Sequence, residues 1–586
     1  MFKLFKNFTK KDIGMIIVSI VLVVFQVWLD LKLPDYMSAI TRLVQTDGAA
    51  MADILRQGGY MLLCAFGSLI SACIVGFLAS NLSANFSYTL RSKVYNKVLN
   101  LSTAEVKQFQ TSSLITRTTN DITQLEMLIS IGLQLLIKAP IMAVWAITKI
   151  LNKSIEWSML TAGCVVILLC VVIGLMLIVL PRFEKVQKLI DKINNVTRES
   201  ITGIRVIRAF NAEKYQENRF EKVNDDLTNM QLFNQKCFAI LNPIMMLVMN
   251  GLTLGIYVIG TYLINNAIIS VKISLFSDMV IFSSYGIQVI MSFLMLAMIF
   301  MMWPRAQISA RRINEVLDCK VSIKDGKDDI KTTEVGTVEF KNVSFKYPDA
   351  DEYLLRNISF KVNKGETIAF IGSTGSGKSS LINLVPRFYD ATDGEVLVDG
   401  VNVKNYSLEE LHNKLGYIPQ KAVMFTGTVK SNVAYGTKKG KKPSDKKVSE
   451  AINIAQAEEF VSKMEGGLDA HIARGGTNVS GGQKQRLAIA RSIARDPEIY
   501  IFDDSFSALD YKTDATLRSE LKKYTKDATS MIVAQRIGTI INADKIVVLD
   551  KGTCVGIGTH QELLKNCEVY KEIALSQLSK EELENA

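Results

Sequence analysis

The chain has 586 residues, 48% of them hydrophobic, and 68 Lys+Arg against 57 Asp+Glu give a net charge of +11. That length is about three to five domains' worth of material unless part lies in a membrane, and a mean hydropathy of +0.20 is too apolar for disorder and high for a wholly soluble protein. The charge excess sits in the apolar half: residues 1–310 hold 28 Lys+Arg against 18 Asp+Glu, residues 311–586 hold 40 against 39. Basic loops between membrane spans give that distribution, and it argues against nucleic acid as a partner. The eight cysteines form no C-x-x-C pair and mostly lie in apolar runs, so they read as reduced structural residues.

Crossing about 30 Å of hydrocarbon takes roughly 20 helical residues. Stretches of that kind run near Ile13 to Leu33, Gly58 to Ser83, Met127 to Ile150, Trp157 to Leu180, Phe238 to Ile264 and Ser277 to Trp303. The basic opening Met1 to Lys11 precedes a run without a small-residue cleavage site, so it is not read as a removable signal peptide. The N-terminus and residues 86–126 and 181–236 hold 20 Lys/Arg, against 5 in the three short loops on the other side. The basic side is therefore expected in the cytoplasm, in the cytoplasmic membrane, and six crossings return the chain there. The two basic connections carry spaced apolar residues, Leu99, Leu101 and Val106 and then Leu114 and Ile115, which predicts spans continuing as helices far beyond the membrane.

After Asp318 the pattern changes to alternating runs such as Thr337 to Phe345 and to β-branched runs beside glycine turns. The predicted fold is a membrane α-helical domain over 1–319, a polar linker over 320–336, and an α/β domain over 337–580.

The α/β domain carries the chemistry. Gly372-Ser373-Thr374-Gly375-Ser376-Gly377-Lys378-Ser379-Ser380 follows the apolar run Thr367 to Ile371 and precedes the helical run Leu381 to Leu384. Such a P-loop offers inward backbone N–H groups for a phosphate chain, a Lys for its outer phosphates and a hydroxyl for Mg²⁺. Ile499 to Asp503 reads as a buried strand ending in a carboxylate, the second half of a nucleotide site, with Asp503 and Ser379 on the Mg²⁺. Between these halves stands Ser480-Gly481-Gly482-Gln483, a turn opening a helix and thus an anion seat.

Ser480-Gly-Gly-Gln between two phosphate-binding halves resembles the signature of ATP-binding cassette (ABC) transporters, and six spans ahead of the cassette resemble the exporter arrangement, over nearly the whole chain. The resemblance implies further roles. Tyr347 would stack on adenine, Gln420 would sense Mg²⁺ and contact the membrane domain, and Ser507 to Asp510 would link two cassettes. Thr111 to Arg117 with Asn120 and Asp121, and Glu199 with Gly203 to Phe210, resemble segments bearing coupling helices, which dock on a cassette, commonly the other subunit's.

Two positions depart from the family pattern. Asp504 stands where the family has the Glu that polarises the attacking water, and Gln535 where it has the switch His. The shorter side chain withdraws its carboxylate by about 1.5 Å, and misplacement by about 1 Å can cost on the order of a hundredfold in rate. Glutamine cannot carry an imidazolium's charge. The pattern resembles the degenerate-site subunit of a heterodimeric exporter, whose partner would be a second half-transporter. Harmless drift in a homodimer is the alternative.

For substrate, Met245, Met246, Met249, Met291, Met295, Met298, Met301 and Met302 crowd spans five and six beside Phe282, Tyr285, Phe293 and Phe300. They suit either a cavity for varied apolar molecules or packing among helices and membrane lipid. Lys138, mid-span beside Pro140, points to a cavity or a partner, or snorkels to the interface. The expectation is ATP- and Mg²⁺-dependent export of an amphiphilic small molecule such as a drug. A lipid or peptide exporter and an ATP-gated regulatory or channel protein are the rivals.

Overall fold

The computed structural model describes residues 1–578 apart from 47, 49, 152–154, 328, 329, 331, 333 and 437–439. It divides into two compact units: Met1–Leu99 with Thr111–Cys319, and Asn100–Gln110 with Lys320–Ala586.

The first unit is helical and, among the described residues, contains six helices long and apolar enough to cross a membrane. Lys10–Val44 opens with a capping box, in which Thr9 and Asp12 satisfy each other's backbone N–H groups. Met51–Leu99, Ile155–Thr202, Glu213–Asn266 and Ile269–Asp318 have 49, 48, 54 and 50 residues. At about 1.5 Å per residue each exceeds twice the hydrocarbon thickness, as the spaced apolar residues of the connections predicted. Five of the helices contain a proline, Pro34, Pro140, Pro181, Pro243 and Pro304, tolerated where neighbouring helices and hydroxyls satisfy freed backbone groups.

The membrane core gathers around Trp157, Phe282 and Tyr285, each at most 1% exposed. Trp157 donates its indole N–H to the Ile256 carbonyl at 3.2 Å. Close helix approach depends on small residues: a Cβ at Gly260 would stand 2.4 Å from Met279 Sδ and 3.3 Å from Trp157 Cζ2. Met245, Met249, Phe282, Tyr285 and Phe293 belong to this packed cluster, whereas Met246, Met291 and Met298 are exposed. The side chains of Phe300 and Met301 lie outside the described residues.

Charges on the Lys10–Val44 helix pair in sequence with the third and sixth span helices. Asp30 meets Lys138 at 3.0 Å, Asp35 meets Lys149 at 2.8 Å, and Arg42 meets Asp278 at 3.1 Å. Ser68 donates to Asp30, and the Tyr285 hydroxyl donates to Asp35 at 2.7 Å. Lys138 is thus an ion-pair member with its charge held inside the bundle.

The second unit is the α/β domain. A six-stranded sheet has the order β12-β11-β3-β10-β9-β6, formed by Thr553–Gly558, Lys545–Asp550, Thr367–Gly372, Thr529–Val533, Ile499–Asp503 and Leu415–Ile418. All neighbours are parallel except β12 on β11. β9 is buried at every residue, as a strand covered on both faces must be. An antiparallel sheet, β2-β1-β4-β5, is formed by Leu355–Val362, Val338–Phe345, Asp393–Val398 and Val401–Asn402. Its buried positions join Phe370 and Leu381 in one core. A second core, built on Leu487, Ile489 and Phe502, supports the helix Gly481–Arg495, and Gly427–Thr428 and His471–Ile472 add the small pair β7-β8.

Asn100–Gln110 joins this unit through the short helix Thr103–Phe109. Thr111–Thr118, which the sequence singled out as a docking segment, belongs to the helical unit: Arg117 donates to the Arg312 carbonyl at 2.7 Å and pairs with Glu315 at 3.0 Å. Within the stretch expected as a linker, Gly326 and Lys327 donate backbone bonds to Tyr406 and Asn405 at 3.1 and 2.8 Å.

Candidate nucleotide site

The phosphate loop leaves β3 where the parallel strands end. With β10 between β3 and β9, Asp503 and the loop lie one strand apart at the carboxyl ends of parallel strands, the place where open α/β sheets bind ligands. Val533 of β10 is in register with Phe370 of β3 and with Asp503 of β9.

Two glycines make the loop possible. Gly377 has φ +95° at the start of the helix Lys378–Ile382, and a Cβ at Gly372 would lie 2.0 Å from the Leu549 carbonyl oxygen. Lys378 Nζ donates to the Gly372 and Ser373 carbonyls, both at 2.8 Å, and reaches Ser376 Oγ at 3.4 Å. Burial pulls the Lys378 pKa below its usual range, with Asp504 and Asp503 opposing.

Ser379 Oγ donates to Asp503 Oδ1 at 2.7 Å, and Tyr417 reaches Asn383 at 3.1 Å and Asp503 Oδ2 at 3.5 Å. Burial pushes Asp503 above the ordinary carboxylate range, the Ser379 bond works against it and neighbouring Asp504 adds to it. Asp504 takes φ +48° and is 7% exposed. Its Oδ2 accepts two amide bonds, from Gln535 Nε2 at 2.7 Å and from Gln420 Nε2 at 3.1 Å.

The structure therefore brings together Lys378, Ser379, Asp503, Asp504, Gln420 and Gln535. Tyr347 sits at the edge of this group, its hydroxyl 2.8 Å from Ser380 Oγ. Ser480 to Gln483 stand apart on the second core: Gln483 N donates to Ser480 Oγ at 3.3 Å and Ser480 N to Gln483 Oε1 at 2.8 Å, a capping box opening an exposed helix end. Gly482 faces the loop after Asp503, since a Cβ there would be 3.2 Å from the Ala508 carbonyl oxygen. Asp510 caps the helix Tyr511–Tyr524 by accepting from Thr513 N at 3.0 Å, a bond that lowers its pKa. The sequence reading missed Tyr417 beside Asp503, and both amide bonds to Asp504, because none shows as a local motif.

Residues 16–293 match the ABC transporter transmembrane region and residues 355–507 the ABC transporter domain. An uncharacterized ABC transporter ATP-binding protein of Mycobacterium tuberculosis is 37% identical over 554 residues, covering 92% of this chain and 93% of that one. The chain belongs to the ABC transporter family. It is also similar to the ATP-dependent lipid A-core flippase of Mannheimia succiniciproducens, 30% identical over 86% of this chain and 85% of the flippase. The probable multidrug resistance ABC transporter ATP-binding/permease protein YheI of Bacillus subtilis is 31% identical, with 82% and 81% covered. In fold the chain matches a bacterial Atm1-family ABC exporter with ATP bound, at a TM-score of 0.81 and 24% identity over 96% of this chain and 99% of the other. This ABC transporter is thus a multi-pass membrane protein in which an exporter-type helical domain is fused to a C-terminal ATPase domain.

Proposed function

We propose that this transporter is the degenerate-site half of a heterodimeric exporter that moves amphiphilic compounds out of the cytosol or inner leaflet. The observation that carries it is the amide clamp on Asp504. A water-polarising carboxylate needs a free lone pair aimed at the attacking water. Here the shortened side chain offers Oδ2 to two glutamine amides, which cannot take up a proton. The binding residues are intact: Lys378 stands over the loop for the outer phosphates, and the Ser379 hydroxyl and Asp503 carboxylate form a hard-oxygen pair suited to nucleotide-bound Mg²⁺. ATP would then be held by this chain's loop against the partner's signature, and this chain's Ser480 to Gln483 would complete the partner's competent site.

A cavity in the helical unit, about 1190 Å³, supports the substrate class. Its lining divides by chemistry into apolar residues such as Val172, Leu175, Val179 and Leu241 and polar or charged ones such as Asn234, Asp191, Arg305 and Arg312, which suits a molecule with an apolar part and a polar part. Among the described residues, none of the methionines singled out in spans five and six lines it. A lipid would fit the same division, and a lipid exporter is the second reading. The test is ATP turnover by the purified chain in nanodiscs. Binding of Mg·ATP with turnover far below about 1 per second supports the reading, and a homodimer turning over in the ordinary range of about 1 to 10 per second overturns it. Transport of a fluorescent cationic dye against flipping of a labelled phospholipid, in vesicles holding the reconstituted pair, separates drug from lipid.

A further inference from the structure

The Thr103–Phe109 helix brings a cation to the aromatic group at the edge of the nucleotide site. Lys107 Nζ lies 5.6 Å from the centroid of Tyr347 and 5.8 Å from that of Tyr389. The two rings meet edge to face, with centroids 5.2 Å apart and planes at 88°. Phe345 holds another edge of Tyr347 at 5.0 Å, and Ser380 Oγ, next to the phosphate-loop helix start, holds its hydroxyl at 2.8 Å.

The placement of Lys107 does not depend on that ring. Ala104, one turn earlier, packs on the cassette core. Glu105 is 8% exposed and accepts from Ser102 N at 2.7 Å and from Ser322 N at 3.3 Å, so the helix is tied to the linker. Lys107 itself is exposed, and its stem is not needed to fill the core.

We propose that Lys107 is a positioning residue for the nucleotide base: its ammonium fixes the ring plane of Tyr347, on which the base stacks. The proposal rests on reading Tyr347 as the base-stacking aromatic. A cation over an aromatic face is attracted by the ring quadrupole, so any tilt of Tyr347 away from Lys107 gives up that attraction. A ring already fixed by Phe345, Tyr389, Ser380 and Lys107 loses little freedom when a base lands on it, which strengthens binding. The role belongs to the base, since Lys107 contacts the rings of Tyr347 and Tyr389, whereas the loop expected to take the phosphates is gathered by Lys378 on Gly372 and Ser373.

The test compares two probes on the full chain in nanodiscs, Mg·ATPγS, which has a base, and Mg·tripolyphosphate, which has none. Lys107→Met should weaken ATPγS binding about three- to fivefold and leave tripolyphosphate unchanged, while Lys107→Arg keeps the parent affinity. Adding Lys107→Met to Tyr347→Leu should cost nothing further, because the ring it positions is gone. Equal weakening of both probes overturns the proposal in favour of a general charge effect, as does no change with ATPγS while Tyr347→Leu weakens it. If Tyr347→Leu itself leaves ATPγS binding intact, the base-stacking reading fails first and the Lys107 proposal with it. Matching melting temperatures for Lys107→Met and the parent confirm that the comparison reads binding and not folding.

Discussion

Gln535 Nε2 donates a 2.7 Å hydrogen bond to Asp504 Oδ2, the same oxygen that Gln420 Nε2 reaches at 3.1 Å. The two departures from the family pattern are therefore one local structure, in which the switch amide and the shortened carboxylate satisfy each other. Replacing only one of them leaves the other without its match.

That linkage predicts the outcome of restoration. Asp504→Glu with Gln535→His should raise hydrolysis at this chain's own site by more than the two single changes combined, because both groups act on one transition state. The measurement is single-turnover ATP hydrolysis in a heterodimer whose partner lacks its catalytic Glu. A double variant as slow as the parent, while still retaining nucleotide, would place the cause of inactivity in the partner.

The two composite sites should respond unequally to damage in this chain. Ser480→Arg sets bulk and charge at an exposed helix N-terminus that would close over the partner's nucleotide, and steady-state ATPase of the pair should fall more than about tenfold. Lys378→Ala empties only the site proposed as degenerate and should cost less than about threefold. Equal losses would mean equivalent sites.

Much of this was legible from the chain because it is local. The phosphate loop, Asp503 at a strand end and Ser480 at a helix start are contiguous motifs, and apolar run length marks each span. What escaped is long-range. Asp30 and Lys138 are 108 positions apart, and although Lys138 is an isolated charge in an apolar run, Asp30 stands two residues from Lys32 and five from Asp35, so nothing local marks the pair. Thr111 to Arg117, singled out with Asn120 and Asp121 as a docking segment, falls in the helical unit, whereas Asn100–Gln110 belongs to the cassette unit through residues far along the chain, Glu105 with Ser322 and Lys107 with Tyr347. The methionines of spans five and six carry no such signal, because Met suits a core and a cavity wall equally.

Lys138 should prove to be a structural charge. Lys138→Met alone leaves Asp30 unpaired between helices and should destabilise the chain by about 3 to 5 kcal/mol, read as a lower melting temperature in detergent. Asp30→Leu added to Lys138→Met removes both charges and should recover most of that loss, with transport by the reconstituted pair retained. A stable double variant that no longer transports would instead make Lys138 a substrate contact.

The cassette should lose stability on mild acidification through two histidines. Burial, the largest cause in both, holds His412 and His560 below the ordinary histidine value of 6.5, the Pro386 carbonyl bond partly opposing it at His412. The unfolded chain then binds more protons than the native one as pH falls through 6.5 toward the native values, so the stabilisation is complete above the unfolded pKa and is lost below it. Asp503, pushed upward by burial, acts in the opposite sense. His412→Gln keeps a donor for the Pro386 carbonyl, which His412 Nε2 meets at 2.8 Å, and His560→Asn keeps a polar atom toward the Tyr570 hydroxyl, 2.7 Å from His560 Nδ1. The double variant should therefore show a smaller drop in melting temperature between pH 7.5 and pH 5.5 than the parent, by a few degrees. An undiminished drop would assign the acid sensitivity to groups other than these two imidazoles.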